Sequence, residues 1–264
     1  MARMDLGLRD KIALVSGASR GIGRAIAERL AREGCDLMII ARTPDQLERA
    51  ANEIAAASGR RVAICVADLS ARAGIDAAVA ALNESYVRLD ILVNNVGGMP
   101  HGHFLKLDDD DWHRGFDVKV FGYVRMCRAL WPLLKASRGA VVNISGNFAV
   151  TPSHNFMIAG ATGTALMNLS KALASLGLVD DVNVNVVQPG GTVTGQLKRL
   201  LESQAEAEGL TVADVKKRNA GVTGIRRYAE PEDVADLVAF LASPRARHLQ
   251  GTVAVVDGGA TKRI

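Results

Sequence analysis

Short apolar runs alternate with longer segments of helical periodicity along the chain. The runs Ile12–Val15, Leu37–Ile40, Val62–Val66, Ile91–Val93, Ala140–Ile144, Val182–Val187 and Val253–Val256 are apolar at nearly every position. That pattern predicts strands covered on both faces rather than strands with one wet side. Between them, Gly23–Arg32, Gln46–Ala57 and Ile158–Leu176 place their apolar residues at helical spacing. Strands and helices in alternation, joined by right-handed crossovers, give a doubly wound parallel sheet. The expected fold is α/β of Rossmann type, with seven strands and helices on both faces. No repeat, linker or composition break divides residues 1–264, so one domain is expected. The stretch from about Gly195 to Tyr228 is helical and charged and holds no strand candidate. So late in such a sheet, it is expected to lie over the cleft as a substrate lid.

Composition narrows the function classes. Of 264 residues, 48% are hydrophobic and 23% charged, which is ordinary for a globular chain with a large core. The net charge is +4, but Lys and Arg are interspersed with acids, so a mixed surface is expected and not a nucleic-acid stripe. Cys35, Cys65 and Cys127 form no C-x-x-C pair, which argues against a zinc site or a disulfide framework and for a reducing, cytoplasmic location. The segment MARMDLGLRDK has no apolar signal core and no run reaches membrane-spanning length, so no membrane association is expected.

The first strand runs into Ser16-Gly17-Ala18-Ser19-Arg20-Gly21-Ile22-Gly23 and then a helix. Glycines let the backbone approach a pyrophosphate, and the helix start offers free N–H groups at a positive dipole end. The spacing is G-x-x-x-G-x-G, and its place between strand and helix marks a nucleotide site, the alternative being a glycine-rich turn without a ligand. Further along stand Asp68-Leu69, Asn94-Asn95-Val96-Gly97, Pro189-Gly190-Gly191-Thr192-Val193-Thr194 and Val255-Val256-Asp257-Gly258-Gly259. In this order, from about Lys11 to Ala260, the motifs resemble the classical short-chain dehydrogenase/reductase family. The resemblance implies a dinucleotide held by Gly17, Ser19, Arg20, Gly21, Ile22 and Gly23, with Asp68 and Leu69 at the adenine. It places Asn95, Val96 and Gly97 beside the cofactor, and Pro189, Gly190, Thr192 and Thr194 at the nicotinamide amide and a phosphate. It also implies a homodimer or homotetramer, or a hetero-oligomer with an active relative. An acid ending the second strand would select NAD, but the chain reads Ile40-Ala41-Arg42, and Arg20 lies in the glycine loop. Two guanidiniums suit a 2′-phosphate, so NADP is expected over NAD, unless Arg42 is only a surface residue opening the next helix.

The same resemblance exposes a departure. The family places Tyr and Lys four residues apart on the helix after the fifth strand, a Ser just after that strand, and an Asn on the preceding helix. Here those positions read Ala159, Gly163, Gly146 and Lys119, and no Tyr lies between Tyr123 and Tyr228. The small residues are expected to enlarge the cleft, and the glycines to weaken the helix start by about 1 kcal/mol each. Lys119 is the leading replacement: its ammonium could enter the space vacated at Ala159 and Gly163, bind the nicotinamide ribose, polarise a carbonyl, or act as an acid of depressed pKa. The alternative is a lysine facing solvent. His154 is a candidate proton donor, and Ser145, with Asn147 behind it, a candidate substrate contact. His101 and His103 are candidate substrate contacts rather than metal ligands, because Asp108–Asp111 read as a helix cap; no metal site is expected. Basic residues of the insertion, Lys198 to Arg227, could steer an acidic group. Two functions stand: an NADP(H)-dependent oxidoreductase acting on a carbonyl or secondary alcohol through a non-standard site, or a catalytically silent nucleotide-binding homologue, as partner subunit or sensor.

Overall fold

Each apolar run is a strand in the computed structural model, which describes residues 4–262. The strands are β1 (Ile12–Ser16), β2 (Asp36–Ala41), β3 (Val62–Val66), β4 (Ile91–Asn94), β5 (Ala140–Ile144), β6 (Asn183–Pro189) and β7 (Val253–Val256). They form one seven-stranded parallel sheet in the order β3-β2-β1-β4-β5-β6-β7. The order reverses between β1 and β4, and a crevice opens there at the carboxyl ends of the strands.

The helices are α1 (Gly21–Arg32), α2 (Pro44–Ser58), α3 (Arg72–Ser85), α4 (Asp109–Phe116), α5 (Gly122–Ser137), α6 (Met157–Asp180), α7 (Gly195–Glu208), α8 (Val212–Thr223) and α9 (Pro231–Leu241). Each face of the sheet has its own apolar layer. Ile26 and Leu30 of α1, Leu47 and Ile54 of α2 and Val234 and Val238 of α9 cover one face. Ile75 and Leu82 of α3, Met126 and Leu130 of α5 and Ala174 of α6 cover the other. Helices on both faces explain why the strands show no polar alternation. The insertion forms α7 and α8, whose Leu201, Ala205 and Val215 make a small cluster of their own. Among the described residues no helix is long and apolar enough to cross a membrane.

The glycines of α6 do not interrupt it: the helix runs unbroken from Met157 to Asp180. They serve close packing instead. A Cβ on Gly160 would lie 2.9 Å from the Phe148 carbonyl oxygen, and one on Gly163 2.9 Å from the Ala149 Cβ. The helix therefore leans onto the turn Asn147–Ala149, and the larger cleft expected at Gly163 is not there. At Gly146 the space is open.

Candidate active site

The glycine loop has the shape that a diphosphate needs. Gly17 and Gly21 take positive φ, +68° and +59°, where a side chain would be strained. A Cβ on Gly23 would overlap the Gly17 carbonyl oxygen and the Asn95 Nδ2. Asn95 clasps this loop: its Nδ2 donates to the carbonyls of Ser16 (3.1 Å) and Gly17 (3.3 Å), and its N–H donates to Ser16 Oγ (2.9 Å). Asn95 is thereby a fixing residue of the loop. A second helix start meets the first. Thr194 caps α7, accepting from the Leu197 N–H, and its methyl lies 3.4 Å from where a Gly21 Cβ would be. The starts of α1 and α7 thus lie close together, and two positive dipole ends side by side suit an anion. Gly190 N–H donates to the Val256 carbonyl (2.8 Å), and a Cβ on Gly190 would strike Asp257, so the C-terminal signature holds the Pro189–Thr194 turn in place. These features fit a dinucleotide.

On one side of the crevice, Arg42 lies just beyond β2 and Asp68 just beyond β3. Their charged groups lie 3.9 Å apart and are well exposed. Partial burial pushes the Asp68 carboxyl up, but hydrogen bonds from Ser70 and the Arg42 charge outweigh it and hold it below the usual carboxylate range. Leu69 is buried beneath, and Arg20 stands exposed at the start of α1.

The other side of the crevice holds Lys119. Between α4 and α5 the chain makes one π-helical turn, Asp117–Phe121, closed by the Gly122 N–H on the Asp117 carbonyl. The wider turn rotates the helix phase, and Lys119 points inward, 4% exposed. Its Nζ donates to the Ile144 carbonyl (2.5 Å), at the end of β5, and to Tyr123 Oη (3.2 Å). Tyr123, 2% exposed, donates onward to the Val96 carbonyl (2.9 Å), beyond β4. No carboxylate compensates the ammonium, so burial pulls Lys119 from its ordinary 10.5 down to about 7. Burial, with Cys127 adding to it, pushes the Tyr123 phenol well above 10.

The solvent-facing alternative for Lys119 is thus excluded, but the expectation that its ammonium fills the gap at Gly163 is corrected. The amine is anchored at the ends of β4 and β5, and Ala149 and Ser145 already occupy the place next to Gly163. Ser145 Oγ donates to the Gly163 carbonyl (3.3 Å), which ties β5 to α6. His154 is exposed on the turn before α6, with no hydrogen-bond partner among the described residues. His103 is committed locally, its Nδ1 accepting the Leu105 N–H. His101 stacks on Phe156 (centroids 5.2 Å apart), which stacks on Phe148 (4.3 Å). Three near-parallel rings therefore stack in a row, joining the segments after β4 and β5 to the start of α6. Asp108 caps α4 as expected, and among the described residues no cluster of His, Cys, Asp or Glu could hold a metal.

Tyr123 escaped the sequence reading, although a Lys and a Tyr four apart share a helix face. So did Gln188, which is wholly buried in β6.

The comparisons with known proteins agree with this geometry. A family model described as enoyl-(acyl carrier protein) reductase matches residues 17–261. The chain belongs to the short-chain dehydrogenase/reductase family. An uncharacterized oxidoreductase, YvaG of Bacillus subtilis (strain 168), is 33% identical over 99% of this chain and 100% of its own length. The L-sorbose reductase of Gluconobacter frateurii, solved with NADPH and L-sorbose, superposes with a TM-score of 0.96 at 33% identity, covering 99% of this chain and 100% of that one. YwfH, an NADPH-dependent reductase involved in bacilysin biosynthesis, superposes with a TM-score of 0.90 at 28% identity, over 97% of this chain and 100% of that one. These relatives are oxidoreductases, and the seven-stranded parallel sheet matches their fold.

Proposed function

We propose that the protein is an NADP(H)-dependent oxidoreductase acting on a carbonyl or secondary alcohol through Lys119 in place of the family's Tyr and Lys. The observation that carries this reading is a buried lysine, held near neutrality in pKa, at the carboxyl ends of β4 and β5. The dinucleotide supplies the hydride. The starts of α1 and α7 would hold its diphosphate, and Arg20 and Arg42 would favour a 2′-phosphate because β2 ends without an acid.

The protein's own residues then manage the proton. An ammonium has three N–H donors, and two of those on Lys119 are engaged by Ile144 and Tyr123. The third is left for a substrate oxygen. A pKa of about 7 suits an acid that gives a proton during reduction and takes it back in the reverse direction. Tyr123 stays protonated and holds the amine against the strand ends. The ring wall of His101, Phe156 and Phe148 flanks the substrate side, and α7 and α8 serve as a lid over it. Lys198, Arg199, Lys216, Lys217 and Arg226 on that lid would attract an acidic substrate group, whereas Arg218 and Arg227 are engaged by Glu208 and Asp233.

NADPH binding, followed by NADPH oxidation over a panel of ketones, aldehydes and ketoses, tests the reading. The expected result is micromolar binding with turnover, a reduction rate that falls as pH rises through about 7, and loss of that rate in Lys119→Met. Tight binding with no oxidation of any substrate would overturn the enzymatic reading in favour of a silent nucleotide-binding homologue.

A further inference from the structure

The family motifs give no role to Gln188. It stands in β6 immediately before Pro189-Gly190, with 0% of its surface exposed. Neither its Oε1 nor its Nε2 has a hydrogen-bond partner, and among the described residues no other buried amide side chain leaves both ends unpaired. Buried amides are nearly always paired, because burying one alone forfeits its bonds to water.

The placement says what the amide faces. Val182 and Val184 belong to the apolar layer beneath α6, and Val187 to the opposite one. Side chains alternate along a strand, so Gln188 faces α6. Register aligns Ile144 with Val187, and the Ser145 N–H donates to the Val187 carbonyl (2.9 Å). One step further puts Gln188 beside Ser145, on the same face, under the turn of α6 that carries Gly163. This is the carboxyl end of the sheet. A dinucleotide straddling the reversal between β1 and β4 lays its adenosine half toward β2 and β3, where Arg42 and Asp68 stand, and its nicotinamide half toward β5 and β6. Six residues beyond Gln188, Thr194 lies where a Cβ on Gly21 of the glycine loop would meet its methyl.

We infer that Gln188 is a binding residue for the nicotinamide riboside end of the cofactor. Its carboxamide offers two N–H donors and an acceptor side by side, which matches a group that both gives and takes hydrogen bonds, a ribose hydroxyl or the nicotinamide amide. The amide is paid for in the ligand-free chain by two unmade bonds and is completed when that end of the cofactor enters. The inference rests on the cofactor reading above.

The test compares wild type, Gln188→Leu and Gln188→Met by calorimetric titration with NADPH and with adenosine 2′,5′-bisphosphate, and by thermal unfolding without ligand. Removing a pair of hydrogen bonds is expected to weaken NADPH about tenfold. Adenosine bisphosphate, which lacks the nicotinamide half, should bind all three proteins alike, and the ligand-free melting temperature should rise in both variants. NADPH binding unchanged in both variants, with a lower melting temperature, would show a structural amide satisfied by internal water and overturn the proposal. Equal weakening of both ligands would overturn it too, by showing a displaced loop. If wild type binds adenosine bisphosphate and NADPH with no difference and the variants match it, only this inference fails. If wild type binds neither, the cofactor reading fails with it.

Discussion

Lys119→Met isolates the energetic consequence of a buried amine. The folded amine titrates near 7 and the unfolded one near its ordinary 10.5. A lysine depressed in this way makes the unfolded state bind more protons between those values, so stability climbs as pH rises from 7 toward 10.5. At pH 7 the folded amine is half charged and the unfolded one fully so. At pH 9 the folded amine is neutral while the unfolded one is still almost fully charged. Averaged over that interval the difference is roughly 0.8 proton, and at about 1.4 kcal/mol per proton per pH unit the gain is about 2 kcal/mol. Met keeps the length and apolar stem but cannot titrate. It also loses the bonds to Ile144 and Tyr123, so its absolute stability mixes two effects, whereas the pH slope reports one. Urea unfolding of both proteins at pH 7, 8 and 9, at fixed salt and protein concentration, should show wild type gaining about 2 kcal/mol on the variant across the series. Parallel profiles would refute the reasoning, since they would mean that the folded amine stays protonated across the series, as a solvated lysine does.

Other substitutions probe the rest of the site. Restoring the family pair with Ala159→Tyr and Gly163→Lys should destabilise by about 1–3 kcal/mol and give no gain in NADPH oxidation, because the new side chain meets Ala149 and Ser145; adding Ala149→Gly should recover part of the melting temperature. Gly23→Ala should remove detectable NADPH binding and lower the melting temperature, since its methyl overlaps Gly17 and Asn95. Arg42→Ala should weaken NADPH about tenfold and NADH hardly at all in fluorescence titrations, the size expected for one charge-assisted contact; equal effects on both would remove Arg42 from 2′-phosphate recognition.

Much of this was readable from the chain. Seven apolar runs became seven strands, with changes of a residue or two at their ends: β2 gains Asp36 and Ala41, and β6 begins at Asn183 and runs on to Pro189. Asp36, Asn183 and Pro189 among those margins are polar or turn residues, which an apolar count cannot include. The glycine loop was equally plain, because Gly17, Gly21 and Gly23 answer to backbone geometry that sequence states directly. The direction of Lys119 was not legible. The lysine lies within a π-helical turn, and a phase change inside one helix leaves no mark on the 3.6-residue pattern. The fate of the space at Gly163 was hidden for a different reason. Glycine announces that no side chain is present, but not whether a neighbour moves in; here Ala149 did. Gln188 carried a signal, a polar residue closing an apolar run, that buried strands with polar ends make easy to overlook.

The lean of α6 onto the turn Asn147–Ala149 also bears on descent. Once a helix settles into room that a lysine would need, the lysine cannot return by one substitution without colliding, and the neighbours cannot retreat by one without opening a void. Packing of this kind acts as a ratchet. Selection on such a chain can refine whatever lies around Lys119, but any route to a lysine at position 163 passes through less stable proteins.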